Sequence, residues 1–171
     1  MAIKPIHAFK IKVGTGLKTA SNFEDALVKA GCTIDESARM ILHYPAFSVA
    51  SNESDIYLVA YSTIQLAGKK SNCFTEDLYE GAARLGLEEC MPEDGPQLRL
   101  QFLGQQYGIN LRIGMRPIVV NPTSGSLVFT VEHNEKNAVI SDDSLRLSTA
   151  LACSGGYWHY SHELWVFRCP Q

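Results

Sequence analysis

The chain reads as an α+β domain, and three observations carry that reading. Helical periodicity is confined to the first 90 residues, short alternating segments follow Pro92, and no repeat or linker divides the 171 residues. Phe9, Ile11 and Val13 alternate with Lys10 and Lys12, predicting an N-terminal strand with one buried face. Ser21 with Glu24 has capping-box spacing and opens a helix over Phe23, Ala26, Leu27 and Ala30, ended by Gly31. Thr33 and Glu36 repeat the signal for a second helix through Ala38, Ile41 and Leu42, closed by Pro45. Ile56-Tyr57-Leu58-Val59-Ala60 is a buried strand, and a third helix runs from after Thr75 to Gly86.

Beyond Pro92 the pattern changes to a period of two. Leu98, Leu100 and Phe102 alternate with Arg99 and Gln101, and Leu111, Ile113 and Met115 do so around Arg112 and Gly114. Pro117, Pro122, Ser124 and Gly125 mark turns before Leu127-Val128-Phe129-Thr130-Val131. Asn134-Glu135-Lys136-Asn137 reads as a hairpin tip leading to Ala138-Val139-Ile140, and Trp165-Val166-Phe167-Arg168 closes the sheet.

Composition excludes several classes. Charged residues make up 19% against about 25% in an average domain, and 46% are hydrophobic, which argues for a folded core. A net charge of −3 without a Lys/Arg run speaks against a nucleic-acid backbone binder. No apolar stretch approaches the ~20 residues that cross a bilayer. The opening Met1-Ala2-Ile3-Lys4-Pro5 lacks the apolar run of a signal peptide. The expectation is a soluble protein, cytoplasmic by default unless exported or displayed by a partner.

Cys32, Cys73, Cys90, Cys153 and Cys169 are odd in number and show no C-x-x-C spacing, so they read as buried thiols in a reducing compartment. Gly14-Thr15-Gly16 lacks the third glycine of a phosphate loop, and no G-x-S-x-G elbow occurs. Asp142-Asp143 and Glu88-Glu89 read as solvated turn carboxylates. One constellation has catalytic character. Cys153 with His159 has the makings of an activated thiol, and His159 and His162 with Cys153 or Cys169 supply three metal ligands, with Glu163 as a carboxylate partner. A thiol- or metal-dependent hydrolase centred on Cys153, His159 and His162 is therefore the alternative reading.

The leading reading comes from residues Leu147 to His162, which contain no Asp, Glu, Lys or Arg. Ser148, Ser154, Gly155, Gly156 and Ser161 interrupt any apolar period, which argues against a core strand. Tyr157, Trp158, His159, Tyr160 and His162 supply amphipathic rings among small residues. That mixture suits a contact surface, because rings give rigid area and small polar residues adapt around them. The genetic code adds a second peculiarity. Randomising both adenines of an AAC codon never yields Lys, Glu, Gln, Met, Trp or a stop. Fourteen of the fifteen residues from Ser148 to His162 belong to the reachable set, Trp158 being the exception.

This tract followed by Trp165-Val166-Phe167-Arg168 resembles the C-terminal variable region of diversity-generating retroelement variable proteins. The segments Leu85-Gly86-Leu87-Glu88, Gly95-Pro96-Gln97-Leu98-Arg99-Leu100-Gln101 and Ile113-Gly114-Met115-Arg116-Pro117-Ile118 also look similar to uncharacterised proteins predicted in ultra-small archaea and bacteria. The first resemblance implies a single C-type lectin-like domain over residues 1–171, with a variable region at about 145–168 diversified by adenine-directed mutagenesis. It implies ligand-binding, variable positions at Ser148, Ala150, Ala152, Ser154, Gly155, Tyr157, His159, Tyr160, His162 and Leu164. Trp158, Trp165 and Phe167 would be fixed scaffold. The implied protein is a non-enzymatic receptor for a protein or cell-surface ligand, with no cofactor, no metal, no nucleic acid and no membrane insertion. The Glu-Pro-Asn and Trp-Asn-Asp motifs of calcium-dependent sugar binding are absent from the sequence.

Overall fold

A computed structural model describes residues 3–68, 73–123, 125–134, 144–152 and 159–170. The elements run β1 (His7–Val13), α1 (Ala20–Lys29), β2 (Thr33–Ile34), α2 (Glu36–Leu42), β3 (Ser54–Ser62), α3 (Thr63–Ala67), α4 (Thr75–Arg84) and α5 (Asp94–Gln101). They continue as β4 (Asn110–Ile113), β5 (Ile118–Val119), β6 (Ser126–Asn134), β7 (Ser144–Leu151) and β8 (Leu164–Cys169). The chain is a mixed α and β protein. Its helices and strands do not divide cleanly, because three strands intersperse the first helices and α5 lies beyond Pro92.

The strands form one mixed sheet in the order β1-β3-β8-β4-β6-β7-β2, with β5 added on β6. β8 sits inside it, antiparallel to β3 (Val59 opposite Phe167) and parallel to β4 (Arg112 opposite Trp165). β6 and β7 pair antiparallel from Leu127–Leu151 to Asn134–Ser144. Asn134, expected at a hairpin tip, ends β6; the rest of that tip, the expected strand Ala138-Val139-Ile140 and the Asp142-Asp143 pair lie outside the described residues.

Several local expectations are corrected. α1 starts two residues before the Ser21 signal: Thr19 caps it, its Oγ1 accepting from Asn22 N (3.2 Å) while Asn22 Oδ1 accepts from Thr19 N (3.3 Å). Thr33 does not cap α2. With Ile34 it forms β2, the extended state that suits β-branched residues, and Asp35 takes the N-cap position. The composition of Leu147 to His162 argues against a core strand, yet β7 runs through the start of that tract to Leu151. Its hydroxyls find partners in α2 and its cap: Ser148 Oγ donates to Asp35, and Thr149 Oγ1 to Ser37 Oγ (2.8 Å).

The largest correction is α5, where the Leu98, Leu100, Phe102 alternation predicts a strand. This helix buries Asp94, Gly95, Pro96, Gln97, Leu98 and Arg99 together, so it lacks the one-sided apolar stripe that marks a surface helix. Its polar residues follow a spacing of four instead. Glu93 Oε1 accepts from Gly14 N (2.8 Å) and Gln97 Nε2 (2.9 Å), and Gln101 exchanges two 2.8 Å bonds with the Lys12 backbone on β1. Gln101 thereby closes part of an open sheet edge with an amide. Gly95 is required by contact, since a Cβ there would lie 2.9 Å from the Phe129 Cβ.

Two arrangements fix β8. Trp165, Val166 and Phe167 are buried, with Tyr79 edge-on to the Phe167 ring (5.5 Å, 88°). Arg168 then grips Asp94 with two 2.6 Å bonds, Nε to Oδ2 and Nη2 to Oδ1. Asp94 is fully buried, so this fork ties the end of the chain to α5.

Candidate functional site

The residues leading into β8 divide sharply by environment. His159 is fully buried. Its ring meets Trp165 edge-on (5.0 Å, 84°), Thr75 Oγ1 lies 2.9 Å from Nε2, and Glu163 Oε2 lies 3.1 Å from Nδ1. A carboxylate beside Nδ1 places the proton there, so Nδ1–H donates to Glu163 and Nε2 accepts from the Thr75 hydroxyl. Arg112 Nη2 donates to the other Glu163 oxygen (2.7 Å), its Nη1 stands 3.3 Å from His159 Nδ1, and its guanidinium lies 5.9 Å from the Trp165 ring centre. Both nitrogens of His159 are thus engaged by protein groups.

Tyr160 and His162, beyond it in the chain, face outward. Tyr160 is 62% exposed and stacks on the exposed His162 (6.2 Å between centroids, 23° between planes). The backbone beneath them is held without their side chains. His159 and Cys73 exchange main-chain bonds of 2.9 and 3.4 Å, while Thr63 N donates to Glu163 O (2.9 Å) and Ile64 N to Ser161 O (3.3 Å). The last two satisfy early N–H groups of α3, which a helix cannot satisfy internally.

Two cavities adjoin this segment and share Asn110 and Arg112. One, of about 340 Å³, is also bordered by His162, Glu163 and Leu164. The other, of about 360 Å³, is bordered by Thr130 and Glu132 on β6 and by Thr149, Ala150 and Leu151 on β7. Thr130 is only 3% exposed and its Oγ1 has no hydrogen-bond partner among the described residues. A buried hydroxyl in that state costs about 1–3 kcal/mol. Glu132 Oε2 accepts from Asn134 Nδ2 (2.8 Å), and burial pushes its carboxyl above the ordinary glutamate value, with Asp35 adding to the rise and Arg146 and Arg112 opposing it.

Measured against the sequence, the expected contact positions fall into three groups. Tyr160 and His162 are exposed, and Ala150 and Leu164 are half-buried beside the cavities. Ser148, Ala152 and His159 are buried, so they serve the frame rather than an open face. Ser154, Gly155 and Tyr157, the scaffold residue Trp158 and the thiol Cys153 lie outside the described residues. Trp165 and Phe167 are core residues.

The hydrolase reading gains no geometry here. His159 is sealed between Thr75 and Glu163 while His162 turns to solvent, so the two imidazoles do not converge. Among the described residues no group of three His, Cys, Asp or Glu side chains is placed to hold a metal ion. Cys32, Cys73 and Cys90 are buried and Cys169 is half-buried; burial pushes the Cys90 thiol well above its ordinary value.

Sequence reasoning singled out His159 and Glu163 but missed Thr75 and Arg112, which complete the cluster. Glu163 stands four residues from His159 and carries a local signal. Thr75 and Arg112 arrive from α4 and β4, 84 and 47 residues away. Arg112 had one hint, a charged residue inside an alternating strand.

No family model, no curated protein and no solved structure matches this chain. Among the described residues no helix is long and apolar enough to cross a membrane.

Proposed function

We propose that the protein is a receptor-type binding protein of the retroelement-diversified class, with a C-type lectin-like fold and a protein ligand. One observation carries this reading. The backbone of residues 159–163 is tied to Cys73, Thr63 and Ile64 through its own main-chain groups, while the side chains of Tyr160 and His162 face outward. Such a segment accepts new side chains without losing its anchorage, which a diversified surface requires. Leu164 borders one of the two cavities that share Arg112, and Ala150 borders the other.

Among the described positions the variable set narrows accordingly, and Ser154, Gly155 and Tyr157 stay in it as expected. Ala150, Tyr160, His162 and Leu164 belong to the contact face, and Ser148, Ala152 and His159 belong to its support. Sequencing the gene's locus tests the proposal. The expected result is a near-repeat of the codons for residues 145–168 beside a reverse-transcriptase gene, differing where the repeat carries adenine. Differences should fall at Tyr160 and His162 and spare His159, Trp165 and Phe167. A locus with neither repeat nor reverse transcriptase would overturn the proposal.

A further inference from the structure

We propose that the cavity walled by Asn110, Arg112, Thr130 and Glu132 is a subsite for a carboxamide, the group an Asn or Gln side chain of a protein partner would insert. This rests on the binding reading above and names the chemistry that one part of the face accepts.

The four side chains form a square fixed by the sheet. Asn110 lies opposite Glu132 and Arg112 opposite Thr130 in the antiparallel β4–β6 pair, and residues two apart on a strand share a face. The square borders the cavity of about 360 Å³, and Ala150 stands at its side. At the buried corner, the Thr130 hydroxyl lacks a hydrogen-bond partner among the described residues. A hydroxyl both donates and accepts, so a ligand of either character satisfies it.

The charges around the square decide which ligand. Arg112, which is paired with Glu163, and Glu132, which has Arg146 opposite it on β7, are of opposite sign and stand on adjacent strands. A cation entering the cavity meets Arg112, and an anion meets Glu132, so either is opposed by one wall. A neutral group with a donor and an acceptor on neighbouring atoms meets neither penalty. Its N–H donates to the Glu132 carboxylate, and its carbonyl accepts from the Arg112 guanidinium or the Thr130 hydroxyl. A carboxamide has that arrangement.

The experiment titrates the full chain with propionamide, propylammonium and propionate, three probes of nearly one shape, while NMR follows the Thr130 methyl and Asn110 side-chain amide signals. Propionamide should shift both signals saturably in the millimolar range, as suits so small a ligand. The two ions should bind about tenfold more weakly or less. Thr130→Val, which keeps the shape and removes the unpartnered hydroxyl, should weaken propionamide binding severalfold while raising the unfolding temperature, and Asn110→Ala, at an exposed position, should weaken it severalfold with unchanged thermal unfolding. Equal response to all three probes, or no saturable shift up to roughly 0.2 M, would overturn the subsite. Unweakened binding to both variants would do the same. The outcome is independent of the locus: a diversifying repeat with no amide binding removes the subsite alone, and amide binding without a repeat removes the diversification alone.

Discussion

His159 and Tyr160 are adjacent in the chain and opposite in fate. His159 is wholly buried, bonded through both ring nitrogens and packed edge-on against Trp165, whereas Tyr160 is 62% exposed with His162 as its ring neighbour. Composition treats the two rings alike. What separates them is that His159 pairs with Cys73 in an isolated β-bridge, which turns its side chain toward Thr75, while the turn closed by the Glu163 N–H on Tyr160 O sends the next side chain outward. A tract of rings and small residues is therefore two things at once, a frame and a face.

The sharpest way to break this distinction is His159→Ala. The substitution removes a buried ring and leaves the Thr75 hydroxyl and one Glu163 oxygen without it, so urea denaturation should show a loss of about 3 kcal/mol. A smaller effect is expected from Glu132→Gln, read as a pH dependence. Burial raises the Glu132 pKa above its ordinary 4.5, so the folded protein binds that proton more tightly than the unfolded chain. The stability this group contributes is complete below about 4.5 and is lost as pH rises through the raised value. Denaturation midpoints of Glu132→Gln should fall less steeply over that window than those of the parent protein. A parallel pair of curves would show that Glu132 titrates as an open side chain. Smallest of all, Tyr160→Ala and His162→Ala should each stay within about 0.5 kcal/mol of the parent, as surface substitutions do.

The legible parts of the fold are those where one face is buried and the other wet. β1 shows its alternation, and β3, β6 and β8 carry apolar runs suited to strands covered on both sides. α4 shows helical spacing with buried Leu78 and Ala82. α5 was illegible for the opposite reason, since burial on all sides erases the periodicity and leaves an alternation of Leu98 and Leu100 to mimic a strand. α3 and β5 are five and two residues long, too short for any period to register. In β7 the hydroxyls of Ser148 and Thr149 looked like loop chemistry. They are satisfied by Asp35 and Ser37, 113 and 112 residues away.

The same physics governs the candidate site. Its rings were visible as composition, and Glu163 as an i,i+4 neighbour of His159. Their division into frame and face depends on Thr75, Cys73 and Arg112, which approach from other elements. Arg99 illustrates the extreme. It is fully buried in α5, donating to the carbonyl of Glu132 (3.0 Å) and to Gln105 and Phe102, at a position where alternation expects a solvent-facing charge.

The division between frame and face is tested most directly by saturating residues 145–168 with substitutions and sorting the library for resistance to proteolysis. Tyr160 and His162 should accept nearly every residue type, and Ala150 and Leu164 many of them. His159, Trp165 and Phe167 should accept almost none. Equal intolerance at Tyr160, His162 and His159 would contradict the account, because the whole tract would then be core.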